Sequence, residues 1–320
     1  MSSGPVRIGL VAEAMADRSL PEVMDWLRRR APEITDLEIG TGGYAPTTHC
    51  DLATLLRDND ARRRWMEEVT ARGLRVAALN AWGNPLHPDQ AIAAKHASDL
   101  RDTIKLAAEL GVDRVVALAG CPAGAAGDRA ANFAAGGWLP YLEGVSDQQW
   151  EEHVVPYWTA LADFARREHP NLLVCIELHP GTVVFNVETF ERLAALGRSI
   201  AANLDPSHFF WMGMSPVAVV RKLGRKVGHF HAKDVVFSAE HLALNGLLDR
   251  RWPRPPAEMP WNFAVIGRGR QPEWWHEFVA DVVRFGSVRT LAIEHEDPFV
   301  NAEDGIVEAA TLLTRSLASL

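Results

Sequence analysis

Short runs of β-branched and aliphatic residues alternate along the chain with longer segments whose apolar residues recur at helical spacing. This is the pattern of βα units built around a parallel sheet. The runs predict strands over residues 6–11, 36–39, 74–79, 114–118, 172–177, 200–204, 228–231 and 290–294. The amphipathic segments predict helices over 20–30, 52–72, 89–110, 147–167, 187–196, 216–223, 272–285 and 301–317. Proline at or near the first turn of several, and Gly73, Gly111, Gly197 and Gly224 just past their ends, are ordinary helix punctuation. Eight strands alternating with eight helices predict a single (β/α)₈ TIM barrel over residues 1–320, with the site where the carboxyl ends of the strands converge.

Two connections are too long for ordinary turns. Residues 120–146 follow the fourth strand and hold CPAGAAGDRAANFAAGG and then Trp138; residues 235–270 follow the seventh and hold WPRPPAEMPW. Both leave carboxyl ends of strands, so they are expected to shape access to the site.

Bulk properties narrow the class. The chain is 48% hydrophobic and 23% charged, an ordinary globular balance with ample core. A formal charge of −8 argues against a non-specific nucleic-acid binder. Cys50, Cys121 and Cys175 are scattered and odd in number, which fits neither a disulfide framework nor a thiolate cluster and points to a reducing cytoplasm. The segment MSSGPVRIGLV lacks the features of a signal peptide, and no apolar run approaches the length of a membrane span. Eleven tryptophans leave several for loops, where they would wall an apolar or sugar-binding pocket.

The candidate chemistry sits at strand ends. Glu177 follows LLVCI, Asp205 follows IAANL, His231 follows VGHF and Glu294 follows TLAI. Three carboxylates and one imidazole form a hard ligand set suited to Mn²⁺, Mg²⁺ or a similar divalent ion. Glu294 is a better ligand choice than Glu296, being the first residue after its apolar run. Glu177 and His179 lie two apart and share a face of the strand, so His179 is free to act as a base beside the metal. His229, one pair deeper than His231, is expected to pack and hydrogen-bond. Lys233 and Asp234 are expected to enter the following loop. Glu13 follows the first strand, and Trp82, Asn84 and His87 after the third are candidates for sugar recognition, although Gly83, Asn84 and Pro85 equally describe a rigid turn. Arg268 and Arg270 are candidates for an anionic or polyhydroxyl substrate against a default of solvated arginines. The glycines of GTGG make no nucleotide fingerprint, and phosphate-loop, GxSxG and HExxH motifs are missing.

GNPLHP, IELHPG, NLDPSH, HFHAKD and IEHEDP, in this order at successive strand ends, resemble the xylose isomerase-like TIM barrels, the sugar phosphate isomerase/epimerase superfamily that includes endonuclease IV. The resemblance runs over nearly the whole chain. It implies one divalent metal, with Mn²⁺ expected and Mg²⁺, Co²⁺ or Zn²⁺ as alternatives, held by Glu177, Asp205, His231 and Glu294. It also implies that the two glutamates double as acid/base groups and that His208 touches substrate, with Lys233 and Arg268 among the binding candidates. The chain departs from ketohexose epimerases, which carry a Glu six residues after the strand-5 glutamate and an Arg six after the strand-7 histidine; here these are Val183 and Phe237. His179 and the tryptophan-bearing loops are instead similar to the α-subunits of bacterial C-glycoside deglycosidases, which implies elimination on 3-oxo-glucosides with a small β-subunit as partner. The alternatives are a sugar isomerase or epimerase, expected as a homo-oligomer, and an endonuclease-like phosphodiesterase, disfavoured by charge. Neither nucleic acid nor a membrane is an expected partner.

Overall fold

The computed structural model describes residues 4–135, 139–248 and 254–320. In chain order its strands are β1 (Arg7–Val11), β2 (Ile34–Gly40), β3 (Arg75–Asn80), β4 (Arg114–Leu118), β5 (Leu173–Glu177), β6 (Ile200–Leu204), β7 (Val227–Ala232), β8 (Asp234–Phe237), β9 (Trp261–Ala264) and β10 (Thr290–Ile293). All but β8 and β9 run parallel and close into one barrel, with β10 between β7 and β1. The expected eight-stranded (β/α)₈ barrel is therefore present among the described residues, and β4 and β6 have the expected bounds.

Strand alternation sorts the side chains into two environments. On β5, Val174 and Ile176 join the large core between sheet and helices, while Leu173 and Cys175 face a small interior cluster with Ala78, Val116 and Ala201. Small residues dominate that inner layer, which leaves room above it for polar side chains at the strand ends. At the opposite end Asp36 is buried and bound by Arg75 and Thr290, which seals the barrel floor. The β6–β7 register shifts at Gly228, where an added Cβ would lie 2.9 Å from Ala201 Cβ and 3.2 Å from Cys175 Sγ. Only glycine lets β7 approach this closely, and the shift sets the inward direction of His229 and His231.

Three segments differ from expectation. The helix predicted over 52–72 is two helices, Leu52–Arg57 and Asn59–Ala71, because Asp58 between them accepts from the backbone N–H of Asp60 (2.9 Å) and Ala61 (3.0 Å) and caps the second. The helix predicted over 147–167 begins at Val145 and passes through a π-helical turn, Trp150–Val154, before continuing as Val155–Glu168. The long connection after β7 is largely ordered. β8 and β9 pair antiparallel and flank a short helix, Ala239–Asn245. Trp138 and Trp252, expected in the loops, lie outside the described residues. Among the described residues no helix is long and apolar enough to cross a membrane.

Candidate active site

The four expected ligands reach the same end of the barrel. Glu177 closes β5, Asp205 and Glu294 directly follow β6 and β10, and His231 lies near the end of β7, all at most 8% exposed. His231 Nδ1 is 3.0 Å from Glu294 Oε2 and 3.5 Å from Glu177 Oε2. Asn203, on the inward face of β6, places Nδ2 3.1 Å from the same Nδ1 and 3.2 Å from Glu177 Oε2. Burial alone would lower the His231 pKa, but the charges of Glu38 and Glu294 hold it well above the usual range. A proton and a metal ion would compete for the same Nδ1.

Asp205 does two things at once. Its Oδ1 accepts from the Ser207 N–H (2.9 Å) and starts a helix, Pro206–Trp211, where a loop was expected. That helix carries His208 back over the strand ends, with Nε2 2.9 Å from Glu177 Oε1 and 3.3 Å from Asp205 Oδ2. Burial alone would raise the Glu177 carboxyl, but hydrogen bonds from His208 and His231 hold it well below the ordinary value.

Lys233 does not enter a loop. The backbone continues from β7 into β8, so residue 233 stays on the face of His231. Its Nζ lies 3.0 Å from Asp205 Oδ2, 2.9 Å from Glu294 Oε2 and 2.7 Å from Glu296 Oε2, and 4.3 Å from the Phe263 ring centre. The ammonium bridges carboxylates and is 2% exposed on its side chain, rather than reaching toward solvent. Asp234 turns away and accepts from the backbone of Gly267, Gly269 and Arg270 and from Trp275 Nε1, which ties down the chain after β9.

The deeper layer contains a residue that sequence reasoning passed over. Glu38 on β2 accepts from His229 Nε2 at 2.6 Å, from His231 Nε2 at 3.0 Å and from Asn80 Nδ2 at 2.6 Å. Its only sequence signal is a charge on the same inward strand face as Asp36, two residues earlier. His229 is thereby a hydrogen-bonded interior residue, as its depth implied.

His179 follows β5 and stacks edge-on to His208, ring centres 4.2 Å apart. Its Nδ1 is 2.5 Å from the Pro180 carbonyl oxygen, so Nδ1 carries the proton and Nε2 the lone pair. Burial, then the neighbouring His208, lowers its pKa to about 4. Trp82 stands edge-on to His231 at 5.9 Å and lines a cavity of about 300 Å³ with Glu13, Tyr44, Glu294 and Glu296. Both Glu13 carboxylate oxygens are buried without a hydrogen-bond partner, and burial, reinforced by Glu38, raises its pKa well above the ordinary value.

Other recognition candidates have other partners. Asn84 is committed to the loop after β4: Nδ2 donates to the Cys121 carbonyl (2.8 Å) and Oδ1 accepts from the Cys121 N–H (2.9 Å). His87 Nδ1 accepts from the Asp89 N–H at 2.9 Å, and the residue lines a cavity of about 340 Å³ with His179. Arg268 forms a two-point pair with Glu308 of the last helix at 3.0 and 2.8 Å, away from the cluster. Arg270 lies over Phe210 at 4.4 Å.

Beside the cluster opens an apolar cavity of about 910 Å³ walled by Phe133, Phe185, Trp211, Met214, Leu247 and Trp261 among others. Pro180 lines it too, so its wall begins one residue from His179. A chain of rings runs from His208 through Phe263 (5.6 Å) and Trp261 (5.4 Å) to Trp211 (4.8 Å, stacked).

Residues 38–316 match the xylose isomerase-like TIM barrel family, and the chain belongs to that family. It is 34% identical over 288 residues to the uncharacterized protein YfiH of Bacillus subtilis (strain 168), a match covering 89% of this chain and 91% of that one. Among solved structures it is similar to a xylose isomerase-like TIM barrel protein from Mycobacterium smegmatis in complex with magnesium, with TM-score 0.64, 13% identity, and coverage of 100% and 99% of the two chains. It is also similar to the probable 3-DHS dehydratase AsbF of Bacillus anthracis, with TM-score 0.63, 16% identity, and coverage of 96% and 98%.

Proposed function

We propose that this barrel is a divalent-metal-dependent sugar enzyme that removes a proton from the carbon beside a carbonyl. The observation that carries the reading is the convergence of Glu177, Asp205, His231 and Glu294 from four barrel strands that are neighbours around the barrel. The donor set fits a hard cation. Glu38, Glu177, Asp205 and Glu294 crowd one barrel end with Lys233 and His231 among them, and the oxygens of Glu13 beside them lack partners. Buried negative charge in this excess favours a bound cation. The magnesium in the Mycobacterium smegmatis barrel supports the same reading.

A divalent ion held by those four residues would act as a Lewis acid that lowers the cost of negative charge on a substrate carbonyl and its neighbouring hydroxyl. The chain supplies the proton chemistry. His179, with its lone pair on Nε2, and the carboxylates Glu177 and Glu294 are the bases at hand. His208 donates to Glu177 and keeps its orientation, while Trp82 walls the opposite side.

Within this class, elimination on 3-oxo-glucosides is the sharper reading, and the 910 Å³ apolar cavity favours it. A free ketose offers nothing for that cavity, whereas an aromatic aglycone fills it. Val183 is buried and Phe237 lies on β8, so neither position offers the polar contact that ketohexose epimerases carry. In this reaction a base takes the proton beside the ketone, a carbon–carbon double bond forms, and the aglycone leaves with its bonding pair and gains a proton. Isomerisation or epimerisation is the alternative and uses the same deprotonation. The test is metal-loaded protein in D₂O with ketoses, 3-oxo-glucose and 3-oxo-C-glucosides. Aglycone release supports the lyase; deuterium uptake without cleavage supports isomerase or epimerase. Cleavage that needs an added small companion protein supports a two-subunit enzyme. Absence of both uptake and cleavage overturns the class, and so does a Glu294→Gln variant that keeps metal and full turnover.

A further inference from the structure

We infer that Glu38 is a positioning residue that fixes His231 as a metal ligand through Nδ1, resting on the reading of the cation site above. The argument is geometric. A carboxylate only accepts hydrogen bonds, and Glu38 lies 2.6 Å from His229 Nε2 and 3.0 Å from His231 Nε2. Both Nε2 atoms therefore carry protons, and a neutral His231 keeps its lone pair on Nδ1, the atom that faces Glu177 and Glu294. Asn203 Nδ2, 3.1 Å from Nδ1, is a donor aimed at that lone pair.

Glu38 is itself held from a third side. Asn80 Nδ2 donates to Oε1 at 2.6 Å, and the Asn80 Oδ1 accepts from the Trp82 N–H at 3.0 Å, so the Asn80 amide turns over only by losing that bond. The carboxylate is 1% exposed. A carboxylate that orients the far nitrogen of a ligating histidine also raises the basicity of the near one. Glu38 stands on β2, outside the run of four strands that carry the ligands, and His231 joins the two layers.

In Glu38→Gln one oxygen becomes an amide. With Asn80 committed to Oε1, the new N–H groups stand where Oε2 received His229 Nε2 at 2.6 Å and His231 Nε2 at 3.0 Å, leaving His231 only the longer contact to Oε1 at 3.2 Å. The clash of donors favours lone pairs at Nε2 and the His231 proton on Nδ1, where it blocks the metal. Calorimetric Mn²⁺ titration should show affinity falling about 10–100-fold, and ¹⁵N-histidine spectra in the presence of Mg²⁺, where a bound cation takes the place of the Nδ1 proton, should show His231 changing from the Nε2–H to the Nδ1–H form. Glu38→Asp, still acceptor-only, should keep Nε2–H and recover part of the affinity. Wild-type affinity in Glu38→Gln with the Nε2–H form retained overturns the inference while leaving the metal site standing. Should Glu38→Gln fail to fold, Zn²⁺-loaded wild-type protein decides: Nδ1 bonded to metal with Nε2–H supports the inference, and the reverse overturns it. A wild-type protein that binds neither ion removes both the site and the role of Glu38.

Discussion

Lys233 and Glu296 join the buried acidic cluster to the protein surface. Their charged atoms are 2.7 Å apart, with the lysine side chain 2% exposed and the glutamate 49%. The ammonium also contacts Asp205 and Glu294, so one cation bridges three carboxylates. Removing it leaves buried charge without compensation. Lys233→Met is expected to lower the metal-free stability by about 3–5 kcal/mol, measured by urea denaturation, with added Mn²⁺ restoring part of it. Unchanged stability would mean that the cluster is balanced elsewhere.

Asn84 pins the turn after β3 to the loop after β4 through both backbone groups of Cys121. Asn84→Ala is expected to cost roughly 1–3 kcal/mol in stability while Mn²⁺ affinity stays at the wild-type value. Undiminished stability with a large rise in KM would instead make Asn84 a substrate contact.

Burial pushes the Cys50 and Cys175 thiols up to about 12 and Cys121 up to about 11. Thiols in the unfolded chain ionise near ~8.5, so between there and 11 the unfolded state loses protons that the fold retains. Stability should therefore fall as pH rises through that window. At pH 8 the native protein should resist iodoacetamide at all three sites and react fully in denaturant. Equal native and denatured labelling rates would disprove the burial argument.

Trp211 and Trp261 stack at 4.8 Å with 15° between their planes, on the wall of the apolar cavity. If that cavity takes an aromatic aglycone, Trp211→Leu should raise KM for an aryl 3-oxo-glucoside roughly 2–10-fold. Deuterium exchange into 3-oxo-glucose, which has no aglycone, should be unaffected. An equal effect on both substrates would place Trp211 in general support of the fold.

The barrel was legible because several of its strands are short, mostly aliphatic runs, and RVVAL and IAANL have the bounds expected of them. The four acidic or imidazole groups were legible for the same reason: each is at or near the close of such a run. Glu38 was hidden inside DLEIG, where one charge reads as an interruption; its hydrogen-bond partners come from β3 and β7, far away in sequence. Lys233 was misplaced because the segment right after it is a strand, β8, paired with β9 some thirty residues downstream. Asn84 looked available because its partner, Cys121, belongs to another loop. Local pattern reports which way a strand points, and it is silent on what stands opposite.

The hydrogen bonds from His229 and His231 to Glu38 have a consequence for how such a barrel divides. A half-barrel cut between the fourth and fifth strands would carry all four proposed metal-holding groups in its second half. It would still leave behind the carboxylate that sets the imidazole's proton, and with it the reason His231 presents the nitrogen it does. Transplanting the site onto another scaffold therefore requires one residue from the half that contributes no ligand.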